Sequence, residues 1–310
     1  MTVLGVVTDR ARARRKAPAR RRPAPALISV VVPVRNCAAY VGDQMAALAS
    51  QTYAGPWEVL VVDNGCRDRS MEIVETWRDR LPPLQIVDAS KRRGLNYARN
   101  MGVAAARGDF IAFCDADDAV APDWLAAMAD GATRADLLGG EVEFAELNDA
   151  VAQAQEAGKA LGGLPLSGPA PYPPGGNCGV WTTVAREIGW DEEFTFGASD
   201  MEFGWRARLA GFEAEYIPDA VIRVRFRKTL RALAKQYFRY GLSEPHLYRR
   251  FRGDGMPRSS IAEARHMWWW LVRHADWLAG TDSERGEWLR VAAVRTGRLL
   301  GSLRWRVLYP

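Results

Sequence analysis

Histidine is scarce in this chain of 310 residues: His246, His266 and His274 are the only three, all beyond position 245. Cysteine is limited to four widely spaced residues, Cys37, Cys66, Cys114 and Cys178. There is no C-x-x-C pair and no His beside a Cys, so zinc-ligand spacing is missing, and a chain of this size does not call for a disulfide framework. Long hydrophobic runs are also lacking. The longest, Leu27 to Val34, falls far short of the roughly 20 residues a membrane-spanning helix needs. The basic N-terminus is followed by Pro23 and Pro25 and a β-type run, not by an apolar helix with a cleavage site, so it does not read as a secretory signal. The expected compartment is the reducing cytosol. No internal repeat is visible. With 48% hydrophobic residues and plentiful aromatic and β-branched side chains, disorder throughout is excluded, and the length suits one large domain or two modest ones.

The formal net charge of +5 is unevenly spread. Residues 1–22 hold eight Arg or Lys against Asp9, and residues 223–310 hold nineteen against seven acids, which leaves a strongly acidic middle. Such asymmetry fits either solvated, salt-bridged ends or an anionic partner for them.

From Leu27 to Phe113 short apolar runs alternate with helical spacing. Strands are expected at 27–32, 58–62, 84–87 and 110–113, because near-continuous β-branched runs mark buried parallel strands. Val41, Met45, Leu48 and Ala49 mark one helix, Ile73, Val74 and Trp77 a second, and the small residues of 94–106 a third that packs closely on a sheet. This order predicts an α/β fold with a mostly parallel sheet and right-handed crossovers. Ligands in such sheets bind beyond the carboxyl ends of the strands, where Pro33-Val34-Arg35-Asn36, Asp63-Asn64-Gly65 and Asp115-Ala116-Asp117-Asp118 stand. Beyond Asp118 the pattern loosens. Residues 145–175 read as a long mobile loop, 180–188 and 199–210 as partly helical, 212–225 as one or two short strands, and the rest as three helices starting near 230, 261 and 285.

Carboxylates at i and i+2 repel unless a cation is present, and a divalent ion sharing phosphate oxygens relieves that repulsion. As a bare string D-x-D also suits a solvated loop or helix N-cap; its place directly after a buried strand favours the cation.

Val30 to Asn36, Val61 to Asp68, Gly94 with Ala98-Arg99-Asn100-Met101-Gly102, and Gly108 to Asp118 occur in an order and spacing that resemble family 2 glycosyltransferases of the GT-A fold. The likeness extends over about 27–225. It implies a GT-A, Rossmann-like sheet with flanking helices over 27–225, while composition marks a basic, disordered tail (1–26) before it and a basic, Trp-rich helical segment (226–310) after it. It also implies an inverting transfer of a sugar from a UDP-, GDP- or dTDP-sugar to an acceptor hydroxyl, the acceptor being lipid-linked or a secondary metabolite. Carried over by position, Pro33, Val34 and Arg35 wrap the base, Asp63 and Asn64 bond the base or ribose, and Gly94 belongs to the same donor-binding set. Asp115 lies near the ribose and sugar, and Asp117 holds Mn²⁺ or Mg²⁺ against the diphosphate, where charge builds up as the bond breaks. Gly175 to Val180 resembles the family's glycine-rich acceptor-side strand, with Asn177 close to the donor sugar. Asp200, in Ser199 to Arg206, falls on the catalytic base. A plain helix-dipole acid is the other reading of Asp200, and Glu202 is an alternate base or a structural partner of an Arg.

The chain departs from the family's pattern in places. Arg35 stands where an aromatic usually stacks on the base, a role a guanidinium can take. Cys66 replaces a common Ser. The strand Ile222-Arg223-Val224-Arg225 has no His to serve as a metal ligand, so water fills that position or Arg223 or Arg225 contacts the diphosphate. Six tryptophans in 223–310 (Trp268, Trp269, Trp270, Trp277, Trp288, Trp305) with the basic balance suggest helices peripheral to the anionic cytoplasmic face of a membrane; packing against the body or a second subunit is the competing reading. A non-catalytic nucleotide-sugar-binding or scaffold protein on the same fold is the alternative function. Nucleic acid is not expected as a partner, since no reader motif accompanies the basic ends.

Overall fold

The computed structural model describes residues 22–148, 162–195 and 197–310. The expected basic tail up to Arg21 and the middle of the expected 145–175 loop lie outside these residues. The first part alternates as expected: β1 (Ile28–Val34), α1 (Val41–Ala49), β2 (Trp57–Asp63), α2 (Ser70–Glu75), β3 (Leu84–Asp88), α3 (Leu95–Ala105) and β4 (Phe110–Cys114). Every residue of β1 is buried. Its one polar side chain, Ser29, donates to Glu58 Oε1 at 2.7 Å and accepts from the Gly108 N–H at 2.9 Å, so the strand is buried without an unpaired hydroxyl.

The chain continues with β5 (Ala119–Val120), α4 (Trp124–Ala132), β6 (Leu137–Glu143), the small hairpin β7 (Leu166–Ser167) and β8 (Ala170–Pro171), then β9 (Asn177–Trp181), α5 (Thr182–Ile188), α6 (Ser199–Leu209) and β10 (Ala214–Arg223). Three helices follow: α7 (Leu230–Phe251), α8 (Ile261–Arg273) and α9 (Asp282–Trp305). The main sheet runs β3-β2-β1-β4-β9-β6-β10-β5. Strands β1 to β4 pair in parallel, as do β6 and β10, while β9 runs antiparallel to both β4 and β6, and β5 antiparallel to β10. The expected α/β, mostly parallel, GT-A-like sheet with a C-terminal helical segment is the architecture found.

Helix α3 lies close on the sheet because Gly102 has no side chain: a Cβ there would stand 2.4 Å from Val31 Cγ1. The core beneath is dominated by β-branched and aromatic side chains, among them Val31, Val61, Phe110 and Phe113, all at most 1% exposed. Truncating such an aromatic costs about 3–5 kcal/mol.

A second, smaller core joins the residues around β8 and α6 to the C-terminal helices: Tyr172, Phe194 and Trp205 pack with Leu247, Phe251 and Tyr309. His246 on α7 is sandwiched between Phe194 and Trp305, with ring centroids 4.2 and 3.6 Å away. Helices α7 and α9 touch backbone to backbone, since a Cβ at Gly241 would meet the Val294 carbonyl oxygen at 2.2 Å and one at Gly297 the Phe238 oxygen at 2.3 Å. Among the described residues no helix is long and apolar enough to cross a membrane.

Candidate active site

At the carboxyl ends of β1 and β2 a cleft of about 310 Å³ is lined by Pro33, Val34, Arg35, Asn64, Arg93, Gly94, Leu95 and Ala98, with Thr195 and Arg239 completing it from the second half of the chain. Five of the residues expected to hold the donor meet here: Pro33, Val34, Arg35, Asn64 and Gly94. Asn64, however, has its amide committed within the protein. Its Nδ2 donates to the carbonyls of Ala89 and Arg92 at 2.8 Å, and its Oδ1 accepts from the Gly94 N–H at 2.9 Å. It shapes the wall of the cleft by pinning the 89–94 loop. Asp63, outside the wall, uses Oδ1 to accept from the Gly65 and Cys66 N–H groups, closing the turn after β2.

A second group forms around the end of β4. Gln44 of α1, fully buried, organises it: Nε2 donates to the Asp115 carbonyl at 2.9 Å and Oε1 accepts from the Val120 N–H at 3.1 Å. Arg99, next to the cleft residue Ala98 on α3, is only 2% exposed. Its guanidinium lies over the Trp190 ring at 4.3 Å, and its Nη2 is 3.6 Å from Asp115 Oδ1. Nη1 donates to Ser199 Oγ at 3.5 Å. Asp200, one residue further into α6, accepts from the backbone N–H of Met201 at 3.0 Å. A buried cation thus stands between the end of β4 and the start of α6.

The charges act on one another. Burial pushes the Asp115 carboxyl above its ordinary range; Arg99 and Arg227 oppose the shift, while Asp117 and Asp200 add to it. Asp200 is likewise raised by burial, against the pull of the Met201 N–H, Arg99 and the Gly175 N–H. Asp118, almost fully buried, is pushed up to about 8 by burial and by Asp115 and Asp117. Asp115 therefore feels both carboxylates that the sequence singled out, Asp117 and Asp200.

Glycine shapes this corner. A Cβ on Gly175 would stand 2.9 Å from Arg99 Nη2, and one on Gly176 would stand 2.5 Å from Asp115 Oδ2. Only a residue without a side chain lets the start of β9 approach both groups so closely.

The sequence reading set Asn177 close to the donor sugar. It is fully buried beneath the glycine pair, accepting from Trp124 Nε1 at 2.7 Å and donating to the carbonyls of Glu141 and Ala220 at 2.9 and 2.8 Å. Its side-chain amide cross-links β9, β6, β10 and α4 and is committed within the protein. Of the arginines at and beyond the end of β10, Arg223 pairs with Glu146 at 2.6 Å and Arg225 with Asp43. The one that faces Asp117 is Arg227, Nη1 to Oδ2 at 3.1 Å. Glu202 is completely buried and paired with Arg206 and Arg250, the structural partner of arginine that was one of its two expected roles. Sequence reasoning missed Gln44, Arg99 and Arg227 as site residues. Arg99 lay within a quoted motif, and its signal was a lone charge among small helical residues.

Among the described residues no group of three or more His, Cys, Asp or Glu is arranged to hold a metal ion. The donor set on offer is the Asp117 carboxylate with Asp115 nearby. That suits a hard divalent cation, which takes one or two protein carboxylates and completes its shell with phosphate oxygens and water.

Comparison with known proteins agrees with this geometry. The chain is 36% identical over 128 residues to glycosyltransferase AglE of Haloferax volcanii, a match covering 40% of this chain and 42% of AglE. It is 34% identical over 94 residues to glycosyltransferase GlyG of Streptococcus pneumoniae, covering 30% and 31%. The matches thus span about two fifths or less of these relatives' length. Among solved structures, S. aureus TarS 1–349 in complex with UDP-GlcNAc superposes with a TM-score of 0.50 at 20% identity, covering 91% of this chain and 93% of that one. Mannosyltransferase PcManGT from Pyrobaculum calidifontis, in complex with GDP-Man and Mn²⁺, superposes with a TM-score of 0.59 at 18% identity, covering 92% and 88%. At such identities the likeness is one of fold. The glycosyl transferase family 2 pattern matches residues 29–179, and that of glycosyl transferase family group 2 matches 110–306. Between them these patterns run through the cleft, the carboxylates and the C-terminal helices, and the chain belongs to glycosyl transferase family 2.

Proposed function

We propose that this protein transfers a sugar from a nucleoside-diphosphate sugar to an acceptor hydroxyl, with inversion at the anomeric carbon. The observation that carries the reading is the grouping of Asp115, Asp200 and the buried Arg99 beside a cleft lined by Pro33, Val34 and Arg35. In this reading the nucleoside lies in the cleft, with the Arg35 guanidinium against the base. TarS and PcManGT, captured with uridine and guanosine donors, support a nucleotide sugar without choosing the base.

Asp200 serves as the base. Burial raises its affinity for a proton, which makes it a better acceptor than an ordinary surface carboxylate, while the Gly175 and Met201 N–H groups and Arg99 keep the ionised form accessible. Deprotonating the acceptor hydroxyl on the side opposite the leaving diphosphate gives in-line attack and hence inversion. Arg227 stands beside Asp117, where it can turn to the departing diphosphate and offset its negative charge. Asp117, with Asp115 near it, would hold Mn²⁺ or Mg²⁺, which when bound offsets charge on the diphosphate oxygens. In this reading Asp115, its carbonyl held by Gln44 and its carboxylate facing Arg99, meets the ribose and sugar.

The test is a thermal-shift screen of UDP-, GDP- and dTDP-sugars with and without Mn²⁺, followed by a donor-hydrolysis assay. A donor at 100 times its Kd stabilises the fold by about 2.7 kcal/mol. Slow hydrolysis that disappears in Asp117→Ala and persists in a surface variant is the expected result. Stabilisation by a donor without any turnover would instead identify a non-catalytic nucleotide-sugar-binding protein.

A further inference from the structure

Helix α8 carries an outer face that its own fold does not cover. Ile261, Arg265, Trp268, Trp269 and Val272 recur at helical spacing, i, i+4, i+7, i+8 and i+11, and so share one side. Ile261 is 52% exposed, Trp268 38%, Trp269 58% and Val272 77%. The inward side is thin: only Ala264 and Leu271 of this helix are buried, and Trp288 of α9 donates its indole N–H to the Leu271 carbonyl at 3.0 Å. The apolar strip extends over roughly 16 Å of helix.

The unpaired charges on the helix and just before it are basic. Arg258, Arg265 and Arg273 are all exposed and have no ion-pair partner among the described residues. The helix's one acid, Glu263, is taken by Arg295 at 3.0 Å. Tryptophan and arginine together suit the boundary between headgroups and acyl chains: the indole is apolar with one polar edge, and the arginine stem lies along the apolar layer while its guanidinium reaches phosphate. The excess of nineteen Arg or Lys over seven acids in 223–310 supplies the complementary long-range attraction to an anionic leaflet.

We infer that the outer face of α8 is a docking surface for an anionic lipid bilayer, lying in the plane of the interface with Trp268 and Trp269 inserted and Arg258, Arg265 and Arg273 on the phosphates. The inference is independent of the donor reading. Where both hold, an acceptor carried on a lipid is presented at the docked surface.

The experiment is co-sedimentation of the full chain with vesicles of 30% phosphatidylglycerol in phosphatidylcholine, and with phosphatidylcholine alone. The wild type is expected to partition onto the anionic vesicles at least tenfold more strongly, and 0.5 M NaCl should release most of it. Trp268→Ser/Trp269→Ser, and separately Arg258→Gln/Arg265→Gln/Arg273→Gln, should each weaken partitioning about tenfold while leaving thermal unfolding and nucleotide-sugar binding unchanged. Leu299→Ser/Leu303→Ser, which alters exposed leucines of α9, should leave partitioning intact. Equal binding of the wild type to both vesicles overturns the inference, as does full partitioning by the α8 variants or loss confined to the α9 variant. A wild type that dimerises in sedimentation velocity, with the dimer lost in the tryptophan variant and no lipid binding, assigns the face to a second copy and also overturns it.

Discussion

Replacing Gly176 by alanine adds one methyl group where it bears on Asp115 and almost nothing else. Gly176 is not among the positive-φ residues, so alanine meets no backbone penalty there. The new Cβ would stand 2.5 Å from Asp115 Oδ2 and 2.9 Å from its Cγ. Relief requires the carboxylate to retreat by about 0.5 Å or more, because close-packed atoms do not tolerate such an approach. Displacements of this size at a reacting centre cost up to about 10²-fold in rate. The expected outcome is a ten- to hundredfold fall in kcat/KM for the donor found by screening, equivalent to about 1.4–2.7 kcal/mol. Asp115 escapes by rotating, so the melting temperature should move by no more than about 2 °C. Gly42→Ala is the control: its Cβ meets only Ile73 Cγ2 at an ordinary 3.6 Å, and a helical alanine should stabilise by about 0.5 kcal/mol with activity intact. Full activity in Gly176→Ala, at unchanged structure, would refute the claim that the placement of Asp115 governs the reaction.

Other outcomes follow from the same geometry. Asp200→Asn should reduce turnover by about 10²–10⁴-fold yet raise the melting temperature near neutral pH. The fold raises this group's pKa, so its favourable contribution is present only while it is protonated and is lost as pH climbs through the folded value; the amide removes that loss. A lower melting temperature in Asp200→Asn would contradict this account. Arg227→Gln should tighten Mn²⁺ binding without nucleotide, followed by electron paramagnetic resonance, about two- to fivefold, because a half-exposed pair is worth up to about 1 kcal/mol; weaker binding would show that Arg227 does not compete for Asp117. Burial pushes Glu58 up, but the Arg107 N–H, Ser29 hydroxyl and Arg107 guanidinium outweigh it and hold its pKa below the ordinary value. Glu58→Gln should therefore cost about 2 kcal/mol at pH 7 in urea unfolding. The deficit should shrink as pH falls below about 4.3 towards the lowered folded value; a pH-independent deficit would argue against the linkage.

The parallel half of the sheet was legible because β1, β2 and β4 are buried on both faces and therefore read as continuous β-branched or aromatic runs. The other half was not. Helix α4 and strand β6 lie in a stretch read as loosely patterned, although Trp124, Leu125, Met128, Ala129 and Ala132 recur at helical spacing. Strand β6 holds two consecutive glycines, which ordinarily signal a loop. They are required here, since a Cβ on Gly140 would meet the Ala220 carbonyl oxygen at 2.0 Å. The carboxylates at the end of β4 were visible from their position after a buried strand, but Asn177 was not separable from a ligand-binding asparagine. Its burial depends on Trp124 and Ala220, dozens of residues away. Arg227 was hidden for a different reason: it lies past the end of β10, where strand alternation no longer says which of three arginines turns inward.

The reversed sense of β9 has a consequence for how this rim tolerates change. Cys114 pairs with Asn177 and Phe110 with Trp181, so the finish of one strand is stitched to the outset of the other. Had β9 been threaded the opposite way, its five residues would have carried the glycine pair to the far margin, roughly 17 Å off. A single deletion inside β9 would shift the register of the residues on one side of it and turn their side chains to the opposite face, and since all five residues of the strand are buried, either face is a packed one. Lengthening or trimming this hairpin-like seam is thus a far harsher operation than exchanging the loops that hang from it.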